Sequence, residues 1–464
     1  MNYDRTSNDP ERKWIGLYVF LGILIIAVSL FVGNSYTLSA GTLFISLIAT
    51  AFYRKHPLPW MFLVSILAAN PINGSAAFPS NLIFAFCLVV LFAMVLFELP
   101  RWVYIPALLS LLGFFISSRN WMSGGMSVLQ QTNYMVNYLM MPFVLLPVVY
   151  LKMAEEKNDT TRLKGLLYCL ILPSTLLLLA AYIFGRPTID YKSIETYHAM
   201  DIRIYRFINT EVNFTRTHVG FIFASLICAS SAIVILPVKP VHRLLAVLCL
   251  VGNVFLLLAV GSVGSGIASL CGLAAVFFCA SLRVNVVRSI VSVVAVVCVV
   301  VSVWVIAPVK VKNYMETRYK ERITRGINTV DRLVLWKRAV DYSVEHPEGM
   351  GWSLSYGDKY RKSNPHNDYL LYAINYGIIA GAVYLYFVLR LTLSFLRKSL
   401  APVRDPSALA INLAGLGVVV VLLVNSMSDH LTASKWYFYV LWSIVWYAYF
   451  CSRTDSAQTL SKIQ

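Results

Sequence analysis

Apolar residues run along this chain in blocks of about twenty, broken by short polar stretches rich in Lys and Arg, and that pattern predicts membrane-spanning helices. A bilayer core about 30 Å thick needs roughly 20 mostly apolar residues per helical crossing. Windows of this kind fall near 14–32, 37–53, 59–69, 81–98, 102–117, 134–151 and 165–184, then near 217–236, 241–260, 264–281, 287–307, 367–394, 407–425 and 434–451. The window at 59–69 is short, so the pattern predicts roughly twelve to fourteen crossings. The runs do not alternate with period two, which sets aside a β-barrel. No internal repeat and no appendage large enough to bury its own core interrupts them. The predicted fold is an all-α polytopic membrane protein in which residues 1–464 form a single integral membrane domain.

Composition strengthens this reading. Hydrophobic residues make up 58% of the 464 positions and charged residues 13%, against about 45 to 50% and 25% in a soluble domain. The first apolar run follows a polar start through Lys13 and lacks a small-residue cleavage site, so it reads as a retained anchor. All eight cysteines (Cys87, Cys169, Cys228, Cys249, Cys271, Cys279, Cys298 and Cys451) fall within or at the end of apolar windows. They read as small core residues rather than as a disulfide framework.

Lys and Arg collect in cytoplasmic loops because translocating them is disfavoured. Basic residues recur at Arg5, Arg12 and Lys13, at Arg54 and Lys55, at Arg101, from Lys152 to Lys164, at Lys239 and Arg243, at Arg283 and Arg288, and from Arg397 to Arg404. Both termini are then expected in the cytoplasm of a bacterial inner membrane. Loops 70–80, 118–133, 185–216, 308–366 and 426–433 are expected outside, in the periplasm of a Gram-negative host. Two outer loops are long, 185–216 and 308–366. The second carries twelve Lys or Arg against seven Asp or Glu, a local exception to the rule that orients the rest of the chain.

Within the large loop, 313–325 and 330–345 have the spacing of amphipathic helices, with Arg318, Arg322 and Arg325 on one face. Arg332 and Trp336 lie one turn apart in the second, which should stop at His346-Pro347. Gly349, Gly351 and Gly357 follow, and Pro365-His366-Asn367 then opens the next apolar window. This order predicts His366 at a helix start on the membrane surface.

An outer cluster of arginines suits a diphosphate, because guanidinium meets phosphate oxygens with paired donors and does not deprotonate. Arg203, Arg206 and Arg216 are the candidates. Arg216 opens an apolar span in Arg216-Thr217-His218-Val219-Gly220, where a charge is costly unless paired or functional. Snorkelling to lipid headgroups is the plain alternative for all three. His366 is the strongest candidate for a general base, since imidazole titrates near neutral pH. His218 and His430 are weaker candidates. No metal-ligand spacing faces outside and no Walker or dinucleotide motif occurs, so neither a metal nor another cofactor is expected.

The run Arg332, Trp336, Pro347, Gly349, Gly351, Pro365-His366-Asn367, Tyr369-Leu370 and Gly377 resembles the signature of the O-antigen ligase and polymerase superfamily. The resemblance implies a GT-C-type, metal-independent, inverting glycosyltransferase whose donor is a glycan on undecaprenyl diphosphate. It implies His366 as the base that activates the acceptor hydroxyl and Arg216 as a ligand of the donor diphosphate, with Arg332, Trp336 and Asn367 shaping the site. One departure stands out: relatives often carry Ser-Arg at the outer end of a middle span, where this chain has Gly261-Ser262-Val263-Gly264-Ser265-Gly266. Arg203, Arg206 or an arginine of the large loop would supply that charge. Two reactions share this chemistry, ligation of finished glycan to a lipid A-core sugar and polymerisation of repeat units. The basic loop suits a phosphorylated core acceptor and favours ligation. A polysaccharide transporter or flippase fits less well, because it should carry its charges near mid-membrane.

Overall fold

A computed structural model describes residues 99–123, 139, 142–144, 146–154, 159–172, 174–176, 178–179, 202–204, 212–214, 216–283, 286–309, 312–313, 316, 329–349, 365–402, 405–427 and 435–452. In chain order these form α1 (Arg101–Ser123), α2 (Leu146–Ala154), α3 (Asp159–Gly165, continued by a π turn over Leu166–Ile171), β1 (Ile202–Ile204) and β2 (Val212–Phe214). There follow α4 (Arg216–Ile235), α5 (Pro240–Val260), α6 (Val263–Ser281), α7 (Val286–Ile306), α8 (Thr329–Glu345), α9 (Asp368–Tyr376), α10 (Ile378–Leu400), α11 (Pro406–Asn425) and α12 (Lys435–Cys451). The chain is an all-α polytopic membrane protein. Among the described residues, α5, α6, α10 and α11 are long and apolar enough to cross a bilayer. The windows expected at 14–32, 37–53, 59–69 and 81–98, and the helix expected at 313–325 apart from residues 313 and 316, lie outside the described residues.

The windows at 102–117, 217–236, 241–260, 264–281, 287–307, 407–425 and 434–451 coincide with α1, α4, α5, α6, α7, α11 and α12, those at 134–151 and 165–184 are described only in part, and two differences stand out. The window 367–394 is not one helix. It is α9 and α10, broken at Gly377, whose φ of 92° no helix accommodates. The loop 185–216 also contains a short hairpin, in which β1 and β2 pair antiparallel with Arg203 opposite Asn213. Three-residue strands are too short for their alternation to stand out from the sequence.

Helix α11 forms the centre of the bundle. It is apolar on nearly all sides, and its residues from Ala408 to Val419 are all buried, the signature of a helix enclosed by other helices. Lipid is as apolar as leucine, so such helices associate through close packing rather than through water exclusion. Small residues make that approach possible. A Cβ on Gly272 of α6 would lie 2.6 Å from the Cys228 sulfur of α4 and 2.9 Å from the Gly417 carbonyl of α11. Aromatic rings fill the neighbouring layer: Tyr372 stacks on Tyr384 at 4.5 Å and Phe143 on Phe387 at 4.8 Å. Cys228, Cys249, Cys279 and Cys451 are buried free thiols, while Cys271 and Cys298 are exposed free thiols.

The two ends of the bundle differ in chemistry. At one end, Arg162, only 3% exposed, donates through Nη1 to the Cys451 carbonyl at 3.0 Å. Lys398 donates to the Tyr449 carbonyl at 2.9 Å and to Ser452 Oγ at 2.8 Å. Two cations therefore cap the carbonyl end of α12, where the helix dipole favours positive charge. Arg162 and Lys398, from the basic segments around 152–164 and 397–404, thus meet at one end of the bundle. The opposite end carries the starts of α4, α6 and α9 and the end of α11.

Candidate functional site

Three elements converge where α9 begins. Helix α8 is amphipathic: Ala339 and Ser343 are buried, and Leu333 and Val344 are exposed. It ends before Pro347, as a proline there requires. From its inward side Trp336 donates through Nε1 to the Pro365 carbonyl at 2.9 Å, which ties the helix directly to the residue preceding His366. Arg332 sits one turn earlier and is half-buried.

A second tie lies beyond the end of α8. Residues 346–349 close a turn in which the Gly349 amide donates to the His346 carbonyl at 3.0 Å. The Ile378 amide then donates to the Pro347 carbonyl at 3.0 Å. Gly349 (φ 80°) and Gly377 (φ 92°) both take left-handed conformations that side chains rarely adopt. A Cβ on Gly349 would collide with the Gly377 amide nitrogen. This interlock breaks the α9–α10 segment, because the amide that would continue the helix is used by the loop instead.

Between these ties lies His366. It is exposed, and with φ at 46° it is the only residue besides glycine in the left-handed region among the described residues. Histidine is one of the side chains that tolerate this region, yet it is held there only when its surroundings demand it. The demand is visible. Asn367, 6% exposed, is extended (φ −150°) and caps α9, its Oδ1 accepting from the Leu370 amide at 3.2 Å. Asp368 is wholly buried. Its amide donates to the Ser426 carbonyl at 2.9 Å, and its Oδ2 accepts from Ser426 Oγ at 3.2 Å. The Tyr384 hydroxyl lies 3.2 Å from the same Oγ.

The polar contacts continue from here towards α4. Asn425 Nδ2 donates to Ser265 Oγ at 3.2 Å, and Ser262 Oγ donates to Ser265 Oγ at 2.9 Å. Gly220 lies so close to these serines that a Cβ there would come within 2.6 Å of Ser262. Arg216 is the first residue of α4, one turn before Gly220. A buried set of hydroxyls and amides from Asp368, Ser426, Asn425, Ser265 and Ser262 therefore runs from the start of α9 to the start of α6, and Gly220 of α4 packs against its serines. The hairpin returns Arg203 to the level of Asn213, three positions before Arg216. Arg206 and His430 lie outside the described residues.

Ser262 and Ser265 occupy the stretch where the resemblance leads to an expected arginine. The structure shows what these small residues do: Gly261 (φ 65°) reverses the chain from α5 into α6, and the serines let α4 approach. Asp368, Ser426 and Tyr384 were not among the sequence candidates. Among the described residues no three His, Cys, Asp or Glu side chains come together in a group able to hold a metal ion.

The fold and this end of the bundle define a polytopic membrane protein with an exposed histidine anchored at a helix start and a neighbouring helix opened by arginine. Residues 244–385 match the family model described as O-antigen ligase, and that match supports a place in the O-antigen ligase and polymerase superfamily. The match spans α5 to the first turns of α10, including Trp336, His366 and Asn367, and leaves Arg203, Arg206 and Arg216 outside. At a general level it supports a glycosyl-transfer enzyme acting on lipid-linked glycan. No curated protein matches the chain.

Proposed function

We propose that this protein is an O-antigen ligase of the GT-C type, acting as one membrane domain in the bacterial inner membrane with its site on the periplasmic face. Its donor is a glycan on undecaprenyl diphosphate, and its acceptor is a sugar of the lipid A-core. The observation that carries the reading is His366: exposed, fixed in a left-handed turn between two anchored neighbours, and inside the matched segment.

The acceptor hydroxyl gives its proton to a His366 ring nitrogen as its oxygen forms a bond to the donor's anomeric carbon. The bond from that carbon to the diphosphate oxygen breaks, and both electrons leave with the diphosphate. Attack from the face opposite the leaving group inverts the anomeric configuration. Arg216, with Arg203 and Arg206, holds the departing charge through paired guanidinium donors and needs no metal ion for that role. Trp336 and Asn367 keep the histidine turn in place, and Arg332 contributes charge from α8.

Purified protein supplied with undecaprenyl-diphosphate glycan and rough lipopolysaccharide tests this reading. Modified lipopolysaccharide that forms in the presence of EDTA is the expected product. Lengthened lipid-linked glycan with unmodified lipopolysaccharide would make the protein a polymerase instead. Arg216→Lys keeps the charge and loses the fork. We expect it to raise the donor KM about tenfold, as the loss of one charge-assisted hydrogen bond implies. A steady-state titration of donor checks this, and an unchanged KM would remove Arg216 from the diphosphate site.

A further inference from the structure

We propose that Asp368 is a positioning residue for His366, acting together with Ser426 as a clamp between the first turn of α9 and the end of α11. The proposal rests on the reading of His366 as the general base, and adds the device that holds it.

Four features lead to it. Asp368 and Ser426 are both fully buried, and a carboxylate enclosed at a helix start is costly unless hydrogen bonds satisfy it. The two residues are joined twice, amide to carbonyl at 2.9 Å and hydroxyl to carboxylate at 3.2 Å. That double bond arrangement fixes both the path and the rotation of the chain at position 368. Ser426 is itself fixed, because its amide donates to the Leu422 carbonyl at 3.0 Å at the C-terminal end of α11. A serine has one hydroxyl proton. With that proton on Asp368, the Tyr384 hydroxyl donates to Ser426 Oγ, and the three groups form a chain from Tyr384 through Ser426 to Asp368.

The clamp has an evident subject. His366 lies two residues before Asp368 and holds a φ of 46° that would relax if its neighbours were released. On its other side the Pro365 carbonyl is held by Trp336. The base is thus suspended between an anchor on the amphipathic helix α8 and an anchor on the buried helix α11. Catalytic proton transfer depends on sub-ångström placement, and a misplacement near 1 Å costs about a hundredfold in rate. Loss of the clamp should therefore act on turnover rather than on donor binding.

The test compares Asp368→Ala, Asp368→Asn, Ser426→Ala, the double variant Asp368→Ala/Ser426→Ala and His366→Ala, each in full-length protein. Asparagine keeps the backbone amide and an oxygen that accepts from Ser426, so it is the conservative variant. We expect Asp368→Ala to lower kcat about tenfold to a hundredfold while the donor KM stays within about twofold. Asp368→Asn should recover kcat to within about threefold of wild type, and the double variant should be no slower than the slower single one, since all break one clamp. Should Asp368→Ala prove unstable, Ser426→Ala and Asp368→Asn carry the same comparison. Wild-type kcat in Asp368→Ala or Ser426→Ala, or an asparagine variant as slow as the alanine, would overturn the clamp while His366→Ala stays inactive. Full activity in His366→Ala would instead overturn the base, and the clamp's purpose with it.

Discussion

Replacing His366 with alanine is expected to lower glycan transfer by a hundredfold to ten-thousandfold, the usual contribution of a positioned general base. The expectation depends on placement as much as on residue type. The histidine is exposed and left-handed, and the residues on each side of it are tied to separate helices. The substitution removes the ring without touching those ties, which run through the Pro365 carbonyl, the Asn367 side chain and the Asp368 backbone and carboxylate. Folding should therefore be retained, and alanine in a left-handed turn costs only about 1 to 2 kcal/mol. A detergent-purified variant with a wild-type elution profile and a strongly reduced transfer rate is the expected result. A folded variant with wild-type rate would show that the acceptor proton leaves by another route.

The second large effect concerns the interlock of Gly349 with Gly377. At Gly349 the three atoms nearest to an added Cβ are all backbone: the Gly377 nitrogen, the Tyr376 carbonyl carbon at 2.9 Å and the Gly377 Cα at 3.0 Å. These nearest obstacles are backbone and cannot swing aside as a flexible side chain would. Gly349→Val adds β-branching to a left-handed φ of 80°, and the combination of conformational strain and overpacking should cost about 3 kcal/mol. The chain relieves this by giving up the bond from Ile378 to the Pro347 carbonyl, which frees the end of α8 from the α9–α10 break. We expect a clear fall in Tm and at least about a tenfold loss of transfer, since the same helix carries Trp336. Gly266→Ala is the control: a Cβ there meets nothing within 4 Å, and in a helix alanine is favoured over glycine by about 1 kcal/mol. Equal Tm values for Gly349→Val and Gly266→Ala would show that the interlock contributes nothing.

These features differ in how far they can be read from the chain. Helices α4 to α7 were legible because each is one unbroken apolar run of bilayer length flanked by polar residues. The end of α8 was legible because proline at 347 cannot continue a helix. The break at Gly377 was not. A single glycine in an apolar run is ordinarily tolerated inside a helix, and what breaks it here is a carbonyl from Pro347, thirty-one residues upstream of Ile378. His366 could be singled out by its place between Pro365 and Asn367 and by the basic loop before it. Asp368 could not, because an acidic residue after an asparagine cap reads as an ordinary helix start favoured by the dipole. Its burial depends on Ser426, 58 residues later. The region from Gly261 to Gly266 illustrates a different limit. The resemblance leads to an expected arginine there, whereas packing against Gly220 shows what small residues do in its place.

The central claim is that this protein cleaves the lipid-linked donor at its anomeric carbon with His366 as base. The most direct measurement is the release of undecaprenyl diphosphate from a radiolabelled donor by the purified full-length protein, with acceptor and EDTA present, for wild type and His366→Ala. Wild type should release undecaprenyl diphosphate in step with glycan transferred to the acceptor, and His366→Ala should release almost none. Equal release by both proteins, or no release by folded wild type at saturating donor and acceptor, would contradict the account.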